Sequence, residues 1–304
     1  MKTKIRNIAK QVVPKPILIH AWDSYCEFKA RKAKQVFEAA PDTPAWLDWD
    51  ALETLQAAYP PFEWTYHYDL QTLKKRGQAR MQEMLRLVRH EKQPLTRFLD
   101  LGSWDGTTCH MLQQLGKTAV GIDVRAEGLT EEVRLDQVPF SQMDASHLGF
   151  ADNSFDFLFS YNSFEHFPEP ERVLQEALRV LRPGGYLYVN FGPLYFSAKG
   201  AHLFRTINVP YCQFLFPKPL LVAFTKAKGI PLKEFHWMNE WKLAQYRDLW
   251  RTYSSQMETV VYYETHNADH LELITRYPSC FKSKVDSFDE LLVAYIEGLF
   301  RKVG

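Results

Sequence analysis

Apolar and polar positions alternate in two different rhythms along this chain. Up to about residue 94 the apolar residues recur at helical spacing between proline-rich turns. "AWDSYCEFKARKAKQVFEA" reads as one helix. "PDTPAWLDWDALETLQAAY" reads as a turn and then a helix capped by Asp48 or Asp50. "YDLQTLKKRGQARMQEMLRLVRHE" reads as a long amphipathic helix with Leu73, Ala79, Met84, Leu85 and Val88 on one face and Gly77 as a weak point. From Pro94 short apolar runs take over. "TRFLDLG", "TAVGIDV", "PFSQMDA", "FDFLFSYN" and "YLYVNFG" read as five strands. Between them "TTCHMLQQLG" and "PERVLQEALRVLRPGG" read as helices. Strands alternating with helices predict a parallel sheet covered on both faces, and the unbroken apolar strands agree.

After Gly192 the rhythm loosens. Residues 193–238, rich in proline and aromatic residues, read as an insertion. "NEWKLAQYRDLWRTYSS" resumes as a helix, "METVVYYET" as a strand, and "SFDELLVAYIEGLFRK" as a closing helix. The predicted fold is α/β: a Rossmann-like, doubly wound, mostly parallel sheet, with an N-terminal helical extension (1–94) and a main domain (95–304) holding a lid insertion (193–238) after strand 5.

Composition narrows the class. With 46% apolar and 24% charged residues over 304 positions, the chain reads as soluble and globular. A net charge of +1 gives no global field for nucleic acid or an anionic membrane. No apolar run approaches the ~18 residues of a membrane span, and no signal peptide is expected at the basic, proline-interrupted start. A cytoplasmic location is the expectation. Cys26, Cys109, Cys212 and Cys280 are too scattered for a metal site or a disulfide framework.

The chemistry concentrates at "FLDLGSWDGTT", the first strand-to-helix turn. In a doubly wound sheet, ligands bind at the carboxyl ends of strands. A dinucleotide loop needs glycine at its first, third and sixth positions, and here they are Gly102, Trp104 and Thr107. No Walker lysine follows. The loop therefore suits a ligand that needs close backbone approach without a phosphate. Asp123 ends the second strand, the place of a carboxylate that accepts ribose hydroxyls. Asp144 ends the third, and Asp100 precedes the loop.

"FLDLGSWDG", "GID", "MDASHLGFADNSFDFLFSYNSFEHF" and "EALRVLRPGGYLYVNF" together resemble the class I S-adenosylmethionine-dependent methyltransferases, in the branch of ubiquinone-pathway and small-molecule enzymes. The resemblance covers about residues 95–192, and the elements at 239–265 look like that fold's sixth strand and its preceding helix. It implies S-adenosylmethionine as cofactor. Gly102, with Ser103, Trp104 and Gly106, would line the methionine part, and Asp100 would stand behind them. Asp123 and Val124 would meet the ribose, and Asp144 and Ala145 the adenine. Tyr161 and Asn162 would border the sulfonium and the substrate. Trp104 departs from the usual glycine and would either wall the methionine end or pack outward beneath the N-terminal helices.

Methyl transfer needs alignment, exclusion of water and, for some acceptors, a base. His202 in the insertion is the first catalytic candidate, followed by His166 in "FEHF" and Tyr195, with His236 a lesser one. His266 and His270, near Glu264 and Asp269, superficially resemble a metal cluster, but solvated or capping roles are expected. The basic runs "KKRGQAR" and "RKAKQ" are flanked by acids, and "SYNS" departs from the motif of base-directed enzymes, so no nucleic-acid partner is expected. The expected function is methyl transfer to a small-molecule metabolite. A peptide, lipid or carrier-bound acceptor is the alternative, as is a noncatalytic S-adenosylmethionine-binding protein whose mouth is plugged by Trp104 or Tyr161. The oligomeric state is not legible.

Overall fold

The computed structural model describes residues 14–61, 68–203, 206–229 and 238–304. The helices of eight or more residues among them are α1 (Lys15–Ala39), α2 (Trp49–Ala58), α3 (Leu70–Leu87), α4 (Thr107–Gln114), α5 (Pro170–Val180), α6 (Lys218–Ala227) and α7 (Leu243–Thr252). The strands are β1 (Arg97–Leu101), β2 (Thr118–Asp123), β3 (Phe140–Gln142), β4 (Phe155–Tyr161), β5 (Leu181–Phe191), β6 (Met257–His266) and β7 (Val293–Lys302). Contacts divide the chain into two units. A sheet unit comprises Glu63–Gly192, Ala244–Tyr262 and Ile296–Gly304. A helical unit comprises Met1–Phe62, Pro193–Leu243 and Tyr263–Tyr295.

The seven strands lie in the order β3-β2-β1-β4-β5-β7-β6. The pairs from β3 through β5 are parallel, and β7 runs antiparallel to β5. The fold is thus a Rossmann-like, mostly parallel sheet, and its strand order reverses between β1 and β4, where such sheets open a crevice. All seven residues of β4 are buried, as a central strand covered on both faces requires. Phe98 of β1 stacks on Phe157 of β4 at 5.4 Å. The amino ends of these strands are tied together by Asp156. Its carboxylate accepts from the Thr96 and Arg97 amides (2.9 and 2.8 Å) and from the Arg97 and Arg182 guanidinium groups (both 2.8 Å). Burial alone would raise the Asp156 pKa, but these donors hold it far below the carboxylate range.

Helix α3 belongs to this unit, so the units cut the chain elsewhere than at residue 94. It buries Leu73, Gly77, Met81 and Met84. Ala79 is exposed, because it lies about 200° round the helix from Gly77, off the buried stripe. Gly77 is a contact point, not a weak one. A Cβ there would stand 2.9 Å from the Thr107 carbonyl group, so glycine lets α3 lie against the first turn of α4.

In the helical unit, α1 contributes Cys26, Ala30, Ala33 and Phe37 to a core shared with Tyr211, Phe214 and Phe281. Asp48 caps α2, accepting from the Ala51 amide at 2.9 Å. The described residues of 193–229 form turns followed by the short helix Cys212–Leu215 and then α6. All four cysteines are buried and free.

One element differs in kind from its expectation. The closing helix ends after one turn, Phe288–Leu292, and continues as β7. Leu292, Ile296 and Leu299 fall at helical spacing, which is why the pattern misleads. The same run is rich in β-branched and aromatic residues, and pairing with β5 overrides the local rhythm.

Candidate functional site

The loop after β1 shows how "GSWDG" folds. The amides of Gly102 and Ser103 both donate to the Ile122 carbonyl, at 2.9 and 2.8 Å. The Trp104 amide donates to Asp123 Oδ2 at 3.1 Å. The Gly106 amide donates to the Ser103 carbonyl, and the Thr107 amide to Asp105 Oδ1 at 2.9 Å. Three of these amides are spent on β2 and two within the loop, so the five do not form a cradle for a pyrophosphate. Gly102 sits at φ +79°, and a Cβ on it would run into the Ser163 hydroxyl group. Glycine there admits the Ser163 side chain, a partner other than the ligand that the sequence reading expected. Gly106, at φ +72°, is the N-cap of α4 and faces Val133.

Trp104 packs on the loop after β2 and not beneath the N-terminal helices. Its backbone is left-handed, at φ +44°. Its indole lies on Gly128, where any Cβ would clash, and the Arg125 guanidinium covers the ring at 4.7 Å. The side chain thus closes on the loop after β2. The sequence could not reveal this, because Gly128 becomes its partner only through the fold.

Asp123 closes β2 with both oxygens engaged, Oδ2 by the Trp104 amide and Oδ1 by the Arg125 amide at 3.1 Å. Each carboxylate oxygen keeps a second lone pair, so the group is oriented and can still accept hydroxyl donors. Burial raises its pKa, and these two amides oppose the rise. Val124 is exposed, and its carbonyl accepts from Gln142. Asp144 is exposed and caps its own turn, accepting from the Ser146 amide and hydroxyl at 2.8 and 2.9 Å; Ala145 is buried beside it.

Asp100 is fully buried. Burial pushes its carboxyl up to about 8, opposed by the Arg80 guanidinium. Arg80 of α3 is absent from the sequence reading, since only the fold brings α3 to the end of β1. Its guanidinium lies 4.7 Å over the Tyr161 ring, and the Tyr161 hydroxyl donates to the Arg80 carbonyl at 3.2 Å. The Tyr161 side chain is therefore part of the core, packed on Tyr188 at 5.3 Å. Asn162 follows in a left-handed conformation, φ +50°, with its amide on the Asn190 carbonyl.

The short helix Phe164–His166 follows β4. His166 is partly exposed, with Nε2 4.0 Å from Glu165 Oε1. Glu165, also missed, is 1% exposed. Its Oε1 accepts from the Gly192 amide at 3.1 Å, while Oε2 is buried without a partner. Burial raises its pKa, with His166 opposing. An acid beside a histidine just past a central strand was the available signal; its burial was not.

His202 and Tyr195 belong to the helical unit. His202 is left-handed, φ +54°, with Nε2 3.1 Å from the Pro193 carbonyl. That contact selects the tautomer with hydrogen on Nε2. Burial raises the Tyr195 pKa. His236 lies outside the described residues. His270 occupies the N-cap position of the short helix Leu271–Arg276 without a side-chain capping bond, and no group of metal-ligating residues occurs among the described residues.

Residues 99–189 match the family model described as "Methyltransferase domain". The chain is 46% identical over 66 residues to "Methyltransferase GfsG" of Streptomyces halstedii, covering 22% of each protein. It is 32% identical over 131 residues to the "Demethylmenaquinone methyltransferase" of Renibacterium salmoninarum, covering 41% of this chain and 51% of that one. The chain thus spans about a fifth to a half of the length of these curated relatives. Among solved structures it is similar to the PH0226 protein of Pyrococcus horikoshii, with 17% identity and a TM-score of 0.44, over 74% of this chain and 90% of that one.

Proposed function

Residues 99–189 are a methyltransferase domain of the class I S-adenosylmethionine-dependent family, and from that premise we propose that the protein transfers a methyl group from S-adenosylmethionine to a small-molecule acceptor. The observation that carries this reading is the carboxyl edge of β2-β1-β4. There a pre-oriented Asp123 carboxylate, a phosphate-blind glycine loop and the buried Asp100 adjoin the strand-order switch. A carboxylate acceptor, a loop whose amides are already engaged and a masked acid suit an adenosyl ligand that bears hydroxyls and an ammonium group and lacks phosphate.

When bound, the cofactor supplies an electrophilic methyl group on sulfonium, open to in-line displacement. Asp123 would hold the ribose hydroxyls. Gly102, Ser103, Trp104 and Gly106 would shape the loop, with Trp104 acting through its backbone. Asp100 would balance the ammonium group. Ala145 and the turn capped by Asp144 would border the adenine. Asn162 would mark the acceptor side. His166, beside the buried Glu165, is the proposed base.

Titration calorimetry with S-adenosylmethionine tests the reading. The intact protein binds, and Asp123→Ala weakens binding by about 10- to 100-fold, through two lost hydrogen bonds to hydroxyls. No heat from the intact protein, or equal affinity in the variant, removes the cofactor assignment.

A further inference from the structure

Helix α1 carries two apolar stripes. Cys26, Ala30, Ala33 and Phe37 are at most 3% exposed and pack into the helical unit's core. Packing a helix on a core needs only one such stripe. A second stripe, Ile17, Ala21, Tyr25 and Phe28, repeats at intervals of four, four and three residues on the opposite side. There Ile17 is 58%, Tyr25 51% and Phe28 63% exposed. Single exposed apolar residues are ordinary, but an aligned row of them marks a contact surface.

Cations border this row. Lys29, Arg31, Lys32 and Lys34 are all exposed. The Lys29 ammonium lies 5.7 Å from the Tyr25 ring centre, and the Arg31 guanidinium 5.0 Å from that of Phe28. The charge is local. The first 39 residues hold nine Lys or Arg against three Asp or Glu, a net +6 in a chain whose total is +1. The near-neutral total that argues against a global field thus conceals a strongly basic end.

We propose that this face of α1 docks on an anionic lipid bilayer, lying in the interface without crossing it. Phe28 and Ile17 would enter the acyl boundary, Tyr25 would sit at headgroup level, and the lysines and Arg31 would meet lipid phosphates. No helix among the described residues is long and apolar enough to span a membrane, so the contact is with the surface. Charge disfavours the other occupants. A second copy seated face to face would bring Lys29 and Lys32 against the same cations. Residues 1–13 contain Lys2, Lys4, Arg6 and Lys10 and no acid, so this segment has no charge to neutralise the rim. The proposal does not rest on the methyl-transfer reading.

Flotation of the full chain with vesicles tests it. Phosphatidylcholine vesicles containing about a third phosphatidylglycerol carry the protein at low salt, whereas pure phosphatidylcholine vesicles do not. The pair Ile17→Ser, Phe28→Ser weakens flotation by about tenfold or more. The pair Lys29→Glu, Lys32→Glu weakens it by at least about 25-fold, an effect that shrinks at high salt. All four positions are exposed, and an unchanged thermal melt shows that the variants fold. No flotation with anionic vesicles at low salt overturns the proposal. Full flotation by the serine pair assigns the attraction to charge alone and overturns docking of the face. A wild-type dimer that the serine pair dissociates, without vesicle binding, overturns it in favour of self-association.

Discussion

Asp100 combines two conflicting demands. The end of β1 buries it, while its proposed role is to set a charge toward a ligand's ammonium group. Burial wins in the free protein and raises its pKa to about 8, so the carboxyl group is largely protonated at neutral pH. A folded pKa raised above the unfolded value favours the native state at low pH. That contribution fades as pH climbs from about 4 and is lost above about 8. Asp100→Asn should therefore be more stable than the parent at pH 9, with the gap closing toward pH 4; urea titrations at both values check this. A cation arriving at the site reverses the balance and ionises the group. S-adenosylmethionine binding at pH 7 should thus release part of a proton, visible as a binding heat that depends on the buffer's ionisation enthalpy. Asp100→Asn should abolish the dependence. A dependence equal in both proteins would place the proton elsewhere.

Among elements, the contact between α3 and α4 depends on a single missing methyl group. Gly77→Ala forces a Cβ to within 2.9 Å of the backbone at Thr107, and a backbone neighbour cannot rotate away. The helix-propensity gain of alanine, about 1 kcal/mol, opposes the clash. Overpacking of this kind costs about 1–3 kcal/mol, so a net loss of stability is expected in urea unfolding. The same residue shows where the sequence was legible. The period of α3, the five parallel strands and the glycine turn all follow from local chemistry: apolar spacing, burial on both faces, positive φ. The role of Gly77 did not follow, because it is set by a helix 30 positions away. The packing partners of Tyr161 and Trp104 were hidden for the same reason. Their positions along the chain matched a ligand-facing loop, but Arg80 and Gly128, supplied by other elements, took up their side chains. In β7 the local rhythm was helical, and pairing with β5 decided otherwise.

For the molecule as a whole, the cysteines separate the two units without any engineering. Cys109 is buried in the sheet unit, whereas Cys26, Cys212 and Cys280 are buried in the helical unit. None is tied in a disulfide, so each thiol reacts only when its surroundings open. The proposed cofactor-holding residues, from Asp100 to Asn162, lie within the sheet unit. A ligand that binds only the closed form suppresses opening in proportion to its excess over Kd. At about 100 times Kd, S-adenosylmethionine should slow thiol labelling of Cys109 by about 100-fold when labelling is limited by opening of the site. Mass spectrometry after a labelling pulse reads each cysteine separately, with Cys26, Cys212 and Cys280 as the internal comparison. If those three slow by the same factor, the units open as one cooperative body. If they keep their rates, the helical unit opens by itself, and the boundaries at Gly192 and Tyr262 are boundaries of stability as well as of contact. An unchanged rate at Cys109 under saturating ligand would mean that the ligand does not stabilise the sheet around β1 and α4, which is the one thing the proposed site must do.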